Sequence, residues 1–139
     1  MKVVFDTNIF ISAFAIPGGR AEEAYIHALR RNFTLYSSVA ILTETAQKLR
    51  EKFGWEQTRI TRLLKAISKV AIVLKTKPHI HLLADEPDNR VLECAVEVGA
   101  DLIVTGDKHL LALEHFQSIN IVRLSDFIQK FSEGKQSLS

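Results

Sequence analysis

The chain has 139 residues, of which 47% are hydrophobic and 24% charged, and these proportions suit one compact domain with a core of its own. No apolar run reaches the roughly 20 residues of a membrane-spanning helix. The first apolar stretch is interrupted by Asp6, so we expect no secretory signal. The single cysteine, Cys94, excludes an internal disulfide and lies in an apolar segment, which favours a core position over a nucleophile. These features indicate a cytoplasmic protein.

Apolar periodicity predicts strands and helices that alternate along the chain. The predicted strands are KVVF, FTLYSS, VAIVL, DLIVT and INIVRL. The predicted helices are GGRAEEAYIHALRRN, VAILTETAQKLREKF, EQTRITRLLKAISKV, DNRVLECAVEVGA, a short helix in GDKHLLALEHF, and DFIQKF. We expect Ser37 or Ser38 to cap the second helix, Ser125 to cap the last, and HIHLLADEP to be a loop. The alternation is typical of an α/β domain with a mostly parallel sheet, over residues 1–132, followed by a polar tail at 133–139.

Four carboxylates occupy distinctive positions in this scheme. Asp6 ends the first strand, Glu44 lies near the apolar face of the second helix, Asp88 begins the fourth helix, and Asp107 follows the fourth strand. Sites in parallel sheets form at the carboxyl ends of strands, where Asp6 and Asp107 stand. Asp88 could be a helix N-cap, Asp107 a turn residue and Glu44 part of a solvated face, but an acid that closes an apolar strand has no such structural role. Converging carboxylates repel one another unless a cation intervenes, and Mg²⁺ or Mn²⁺ suits such a site and promotes phosphodiester hydrolysis.

The charges are unevenly distributed, although the net charge is only +2. Nine basic residues lie between Lys48 and Lys77, and seven acidic residues lie between Asp85 and Asp107. An acidic cluster beside a basic stretch indicates a polyanion as partner. In the basic stretch, three cations share one side of a helix whose other side is apolar, and each alone could be part of a solvated face: Arg62, Lys65 and Lys69.

The sequence resembles the PIN-domain family, in particular the VapC-like toxins of toxin–antitoxin systems. The similarity extends over essentially the whole chain, in the motifs VVFDTNIFISAF, TETAQKL, DEPDNRVLECAVEVGADLIVTGDKHLL and INIVRLSDFI. It implies a three-layer sandwich in which helices flank a central parallel β-sheet. It also implies a Mg²⁺- or Mn²⁺-dependent ribonuclease that leaves 5′-phosphate and 3′-hydroxyl ends. The partners it implies are RNA, a cognate antitoxin and a second copy of the chain in a homodimer.

The resemblance also assigns residues. Asp6, Asp88 and Asp107 would hold the cation, and Glu44 would bind a second cation or position the attacking water. Many family members have another acid where this chain has Asn89, so Asp85 is the alternative to Asp88, which is favoured by its place at the helix start. The supporting residues would be Thr7, Asn8, Asp85, Asn89 and Thr105. The residues expected to bind RNA are Arg62, Lys65, Lys69 and Lys108.

Two other functions remain open at this stage. One is a non-catalytic PIN-like module that only binds RNA, which a broken acidic set would favour. The other is an Asp-based phosphotransferase or phosphatase with Asp6 as nucleophile, but Asn8 stands where a dehalogenase-like site has its second aspartate.

Four further side chains could take part in binding. His79 and His81 lie on one face of an extended stretch and could form a zinc pair, although no third ligand is evident. His109 could touch substrate, and Trp55 could pack between helices or stack on a base.

Overall fold

The computed structural model describes the backbone of residues 1–138 and the side chains of residues 1–132, so the side chains of the predicted tail at 133–139 lie outside the described part. The strands are β1 (Lys2–Phe5), β2 (Thr34–Ser38), β3 (Ile72–Leu74), β4 (Leu102–Val104), β5 (His115–Phe116) and β6 (Ile119–Val122). The helices are α1 (Thr7–Ala15), α2 (Arg20–Leu29), α3 (Val39–Phe53), α4 (Gln57–Val70), α5 (Glu86–Val98), α6 (Lys108–Leu113) and α7 (Leu124–Leu138).

The strands form one sheet in the order β3-β2-β1-β4-β6-β5, parallel except for the β5–β6 pair. β1 lies in the middle, and its β-branched residues Val3 and Val4 suit a strand with neighbours on both edges. Val3, Val4 and Phe5 have no exposed surface, so helices cover both faces of the sheet. The predicted three-layer sandwich with a parallel central sheet is confirmed.

The structure contains every predicted strand and helix and adds two elements that the pattern missed. Helix α1 is strongly apolar because most of its residues pack against β1, α2 and α3, and Asn8 is its one exposed residue. This burial weakens the amphipathic period that would reveal the helix. Strand β5 has only two residues, in a segment that we assigned to the end of a short helix. No helix among the described residues combines the length and the apolar character needed to cross a bilayer.

Three predicted helix boundaries can be compared with the structure. Ser38 caps α3 as expected, since its hydroxyl oxygen accepts the N–H of Ile41 at 3.1 Å. The prediction for Ser125 is wrong, because α7 already begins at Leu124. Helix α5 begins at Glu86 rather than Asp88, because Pro87 fits the first turn of a helix, where no backbone N–H is needed.

An aromatic cluster joins β1 to the C-terminal helix. The Phe5 ring lies 6.1 Å from that of Phe127 on α7 and 5.9 Å from that of Phe33, centroid to centroid. Phe33 and Phe127 are 5.1 Å apart in an edge-to-face arrangement. Because Phe5 immediately precedes Asp6, this packing holds the end of β1 close to the start of α7.

A buried ion pair holds the segment before α5 against that helix. Glu93 has no exposed surface, and its carboxylate accepts the backbone N–H groups of His79 and Ile80 and pairs with Arg90, with 2.7 Å between Oε1 and Nε. Burial alone would raise the pKa of Glu93, but these hydrogen bonds and the Arg90 charge outweigh it and lower the pKa. The clamp fixes α5, which carries Asp88, relative to the loop that enters it.

We expect Glu93→Gln to lower the free energy of unfolding by about 2–4 kcal/mol at pH 7, because it leaves Arg90 without its ionic partner. The lowered pKa means that the ionised carboxylate stabilises the fold above the unfolded-state pKa of about 4.3, and that this stabilisation is lost as the pH falls through the folded-state pKa. The difference in the free energy of unfolding between wild type and variant should therefore become smaller at acidic pH. Urea unfolding across pH 3–8 measures this difference. Glu97→Gln, at an exposed position of the same helix, is the control, and equal losses in the two variants would contradict the role of the clamp.

Candidate metal-dependent nuclease site

The candidate site lies where the strand order changes direction. From β1 the chain first adds β2 and β3 on one side and then places β4 on the other, so the carboxyl ends of β1 and β4 lie at a topological switch point. Val4 pairs with Ile103 and Phe5 with Val104, which brings the residues that follow each strand side by side. Asp6 follows β1 directly, and Thr105 follows β4. The fold thus places the predicted strand-end acids at one edge.

Asp6 is buried, with 5% of its surface exposed, and its carboxylate is held by β4 and by its own turn. The Thr105 hydroxyl donates to Asp6 Oδ2 at 2.7 Å, and the backbone N–H of Thr7 also donates to the carboxylate. Burial raises the pKa of Asp6, these two hydrogen bonds and the charge of Lys48 lower it, and the charge of Asp107 raises it further. The net effect is a raised pKa for Asp6, which means that its surroundings disfavour the ionised carboxylate.

Asp88 is the most perturbed acid of the group. It is the third residue of α5 and is 5% exposed, and its Oδ2 is buried without a hydrogen-bond partner among the described residues. Burial and then the charges of Asp107, Asp85 and Asp6 raise its pKa to about 7, against the opposing charge of Lys48. A buried carboxylate oxygen without a donor needs a proton or a cation to offset its cost.

Asp107 is fixed by the helix that follows it. Its Oδ1 accepts the backbone N–H groups of His109 and Leu110 at 2.8 and 3.0 Å, so Asp107 caps α6. Its own N–H donates to the Thr105 hydroxyl oxygen at 2.9 Å. Thr105 therefore connects Asp6 and Asp107. Asp107 therefore has a structural role as the N-cap of α6 rather than as a turn residue, and this role uses one of its two carboxylate oxygens.

Glu44 forms an ion pair on α3 with the lysine one turn further along. Its carboxylate lies 3.8 Å from the ammonium of Lys48, whose charge opposes the upward pKa shifts of Asp6 and Asp88. Lys48 also donates to the side-chain oxygen of Asn8 at 3.5 Å. The sequence reasoning missed Lys48 as a site residue, although its place four residues after Glu44 on the same helix face was a usable signal.

The remaining supporting residues serve the framework around the acids. Asn89 is fully buried, and its amide exchanges two hydrogen bonds with the backbone of Leu83, at 2.9 and 2.8 Å, so it ties the preceding loop to α5. Asp85 is exposed at the N-cap position of α5, and its carbonyl accepts the N–H of Asp88 at 3.1 Å. Its side chain reaches Asp88 only through its charge.

The donor set fits a hard divalent cation. The charge of Asp107 raises the pKa of Asp6 and of Asp88, and Asp88 carries a buried carboxylate oxygen without a hydrogen-bond partner among the described residues. In the part of the chain that the structure describes, no three acidic, histidine or cysteine side chains already stand as a ligand cage. The carboxylates are gathered within electrostatic range of each other, and a cation would draw them closer.

The predicted RNA-binding cations occupy a different region. Arg62, Lys65 and Lys69 line a groove of about 530 Å³ between α4 and α2, with Tyr25 and Leu29 on the other wall. No hydrogen bond or ion pair among the described residues links them to the acids. Lys108, by contrast, directly follows Asp107.

Two of the histidines, the tryptophan and the cysteine singled out in the sequence contact neighbouring side chains or are buried in the core. His79 and His81 lie near different carboxylates, those of Glu93 and Glu86. Trp55 packs against the core and carries the Arg59 guanidinium 3.6 Å from its ring centroid. Burial raises the pKa of the Cys94 thiol to about 12, which keeps it protonated.

Comparisons with solved structures agree with this fold. A VapBC2 complex of Rickettsia felis, bound to a DNA fragment of its promoter, contains a chain that matches with a TM-score of 0.61 at 13% identity, over 88% of this chain and 98% of that one. VapC20 of Mycobacterium tuberculosis, described as a toxin that cleaves the sarcin–ricin loop, matches with a TM-score of 0.59 at 16% identity, over 85% of this chain and 98% of that one.

Sequence comparisons reach the same family. The uncharacterized protein MJ1680 of Methanocaldococcus jannaschii is 32% identical over 146 aligned positions, which cover 96% of this chain and 93% of that protein. The family model described as PIN domain matches residues 2–109, which include all four predicted acids. The chain therefore belongs to the PIN-domain family.

Proposed function

We propose that this protein is a Mg²⁺- or Mn²⁺-dependent endoribonuclease and the toxin of a toxin–antitoxin pair. The observation that carries the proposal is the meeting of Asp6, Asp88 and Asp107 at the ends of β1 and β4, with Asp88 Oδ2 buried and unpartnered. The fold likeness to VapC20, whose description names RNA cleavage, supports the choice of substrate. The VapBC2 complex supports an antitoxin as partner, and a homodimer remains part of the proposal.

The chain's own residues would divide the work as follows. Asp6, Asp88 and Asp107 would hold the cation, and Thr105 would keep Asp6 and Asp107 oriented through its two hydrogen bonds. When bound, the cation would lower the pKa of an attacking water and neutralise charge that develops on the scissile phosphate. Glu44, paired with Lys48, would bind a second cation or position the attacking water. Asp88 rather than Asp85 is proposed as the third ligand, because it is buried among the other acids while Asp85 is exposed.

Asp6→Asn should lower the rate of RNA cleavage by about 10²-fold or more, since it removes a charged ligand while an amide oxygen can still accept from Thr105. Cleavage of a mixed RNA pool with Mn²⁺ or with EDTA measures the effect. Asp101→Asn, at the opposite end of β4, is the matched control and should keep wild-type activity. Cleavage by Asp6→Asn at the wild-type rate would contradict the proposal. RNA binding without any cleavage by the wild type would favour the non-catalytic module.

Asp88→Asn should raise the free energy of unfolding of the metal-free protein at pH 8 by roughly 1–3 kcal/mol. The variant avoids the cost of ionising a buried carboxyl, and each unit by which folding shifts a pKa corresponds to about 1.4 kcal/mol. The pKa of Asp88 is raised from 3.8 to about 7, so wild type loses stability as the pH rises between these values, and the variant does not. The two proteins should therefore converge near pH 4.

Thermal unfolding in EDTA from pH 4 to pH 8 checks this, with Glu97→Gln as the control on the same helix. Added Mg²⁺ or Mn²⁺ should raise the Tm of wild type more than that of Asp88→Asn, since a ligand stabilises the state that binds it. If the metal-free variant melts well below wild type at pH 8, Asp88 is a structural residue and not a ligand.

Replacing Arg62, Lys65 and Lys69 together by Gln should weaken RNA binding across sequences and lower the slope of log Kd against log salt by up to about 3, because each phosphate contact releases counterions. Cleavage at saturating RNA should change little, since these side chains lie away from the acids. Anisotropy titrations in EDTA at several salt concentrations measure the slope. Replacing Arg30, Arg31 and Lys130 by Gln gives a matched charge control. An unchanged slope would leave the α2–α4 groove as a candidate surface for an acidic antitoxin segment.

A further inference from the structure

A second cavity lies directly beside the residues that join β4 to Asp107. It has a volume of about 390 Å³, and its wall includes Thr105 and Gly106, the two residues between β4 and Asp107. Thr105 is the residue whose hydroxyl holds Asp6. The cavity is thus separated from the acidic site by a single residue, and a molecule that fills it would lie next to one bound at the acids.

Three cations from three separate elements converge on this cavity. Arg20 begins α2, Lys108 begins α6, and Arg123 immediately precedes α7. None of the lining residues is acidic. Among the described residues, no carboxylate lies within ion-pair distance of these three side chains. Three like charges around one concavity repel each other, and an anion inside it would relieve that repulsion.

The backbone around this cavity also favours an anion. Leu124 and Ser125 line the cavity and form the first turn of α7, whose leading N–H groups have no acceptor within the helix. The positive end of the helix dipole also lies there. Leu111 and Leu124 supply apolar surface beside these donors. Cations, free N–H groups and a small apolar wall are the features that suit a phosphate attached to a sugar.

We propose that this cavity is a phosphate subsite that binds the backbone phosphate next to the scissile one in the same RNA strand. The inference rests on the proposed ribonuclease function and extends it by naming Arg20 and Arg123 as substrate-positioning residues. Arginine at two of the three corners favours phosphate, because the guanidinium can donate two parallel hydrogen bonds to it. Lys48 pairs with Glu44 and is not among the residues that line the cavity, so the strand would meet cations at two places around a site that otherwise repels it.

The test measures binding without cleavage. A ten-nucleotide uridine oligoribonucleotide, labelled for fluorescence anisotropy, is titrated in EDTA with wild type, with the double variant Arg20→Gln/Arg123→Gln, and with the control Arg30→Gln/Arg31→Gln, which removes the same charge at exposed positions. We expect the double variant to bind about 10-fold more weakly than the control, with the salt slope lowered by about 1–2. In ¹⁵N spectra, inorganic phosphate should shift the amides of Gly106, Lys108 and Ser125 in wild type but not in the double variant.

Each outcome either supports or overturns the assignment of this cavity as a phosphate subsite. Equal affinity and salt slope in the double variant and the control would overturn the subsite, and so would wild-type protein that binds the oligonucleotide without any salt dependence. Phosphate-induced shifts without a loss of RNA affinity would mean that the cavity takes a free phosphate, which also overturns the proposal. The proposed function is tested separately by the Asp6→Asn cleavage assay. If that assay supports the nuclease but the Arg20→Gln/Arg123→Gln variant binds RNA as well as the control does, only the subsite proposal is overturned.

Discussion

The repulsion among Asp6, Asp88 and Asp107 is the constraint on which the rest of this structure depends. Parallel pairing of β1 with β4 places two of these acids at one edge of the sheet, and α5 brings the third against them. Burial takes away the water that would separate their charges, and the result is a pKa of about 7 at Asp88. Such an arrangement is costly to the empty protein and favourable to a cation. Its presence is therefore better explained by binding than by stability.

The surrounding contacts oppose the relaxation that this repulsion would otherwise cause. Asn89 ties the loop before α5 to the helix, and the Glu93–Arg90 pair holds the segment from His79 to Ile80. Thr105 holds Asp6 and Asp107 through one hydroxyl. Each of these groups is buried or half-buried and hydrogen-bonded, so the acids cannot separate without breaking a buried polar contact. Rigid neighbours of this kind are what preorganised sites require.

The cations are placed around the acids rather than among them. Lys48 lies on the Glu44 side, the pair Arg20 and Arg123 lies across Thr105, and the basic face of α4 lies farther away beside α2. Under the proposed function, such surroundings would attract a polyanionic strand and leave the central acids to hold the cation.

The sequence by itself determined the α/β class, the Ser38 cap and the positions of Asp6 and Asp107 after strands, because periodicity and local hydrogen bonding act over a few residues. It also pointed to Asp88 by its place near a predicted helix start and to Asn89 through the family resemblance, though not to the pairing of Asn89 with Leu83. The sequence pattern did not predict helix α1 because most of its residues are buried and its polar face is too narrow to give a clear amphipathic period. Only the tertiary structure decided that Lys48 lies within electrostatic range of Asp6, and that Arg20 and Arg123, about a hundred positions apart in the chain, line one cavity. Those relations depend on which strands become neighbours, and strand order is set by long-range packing that no local pattern records.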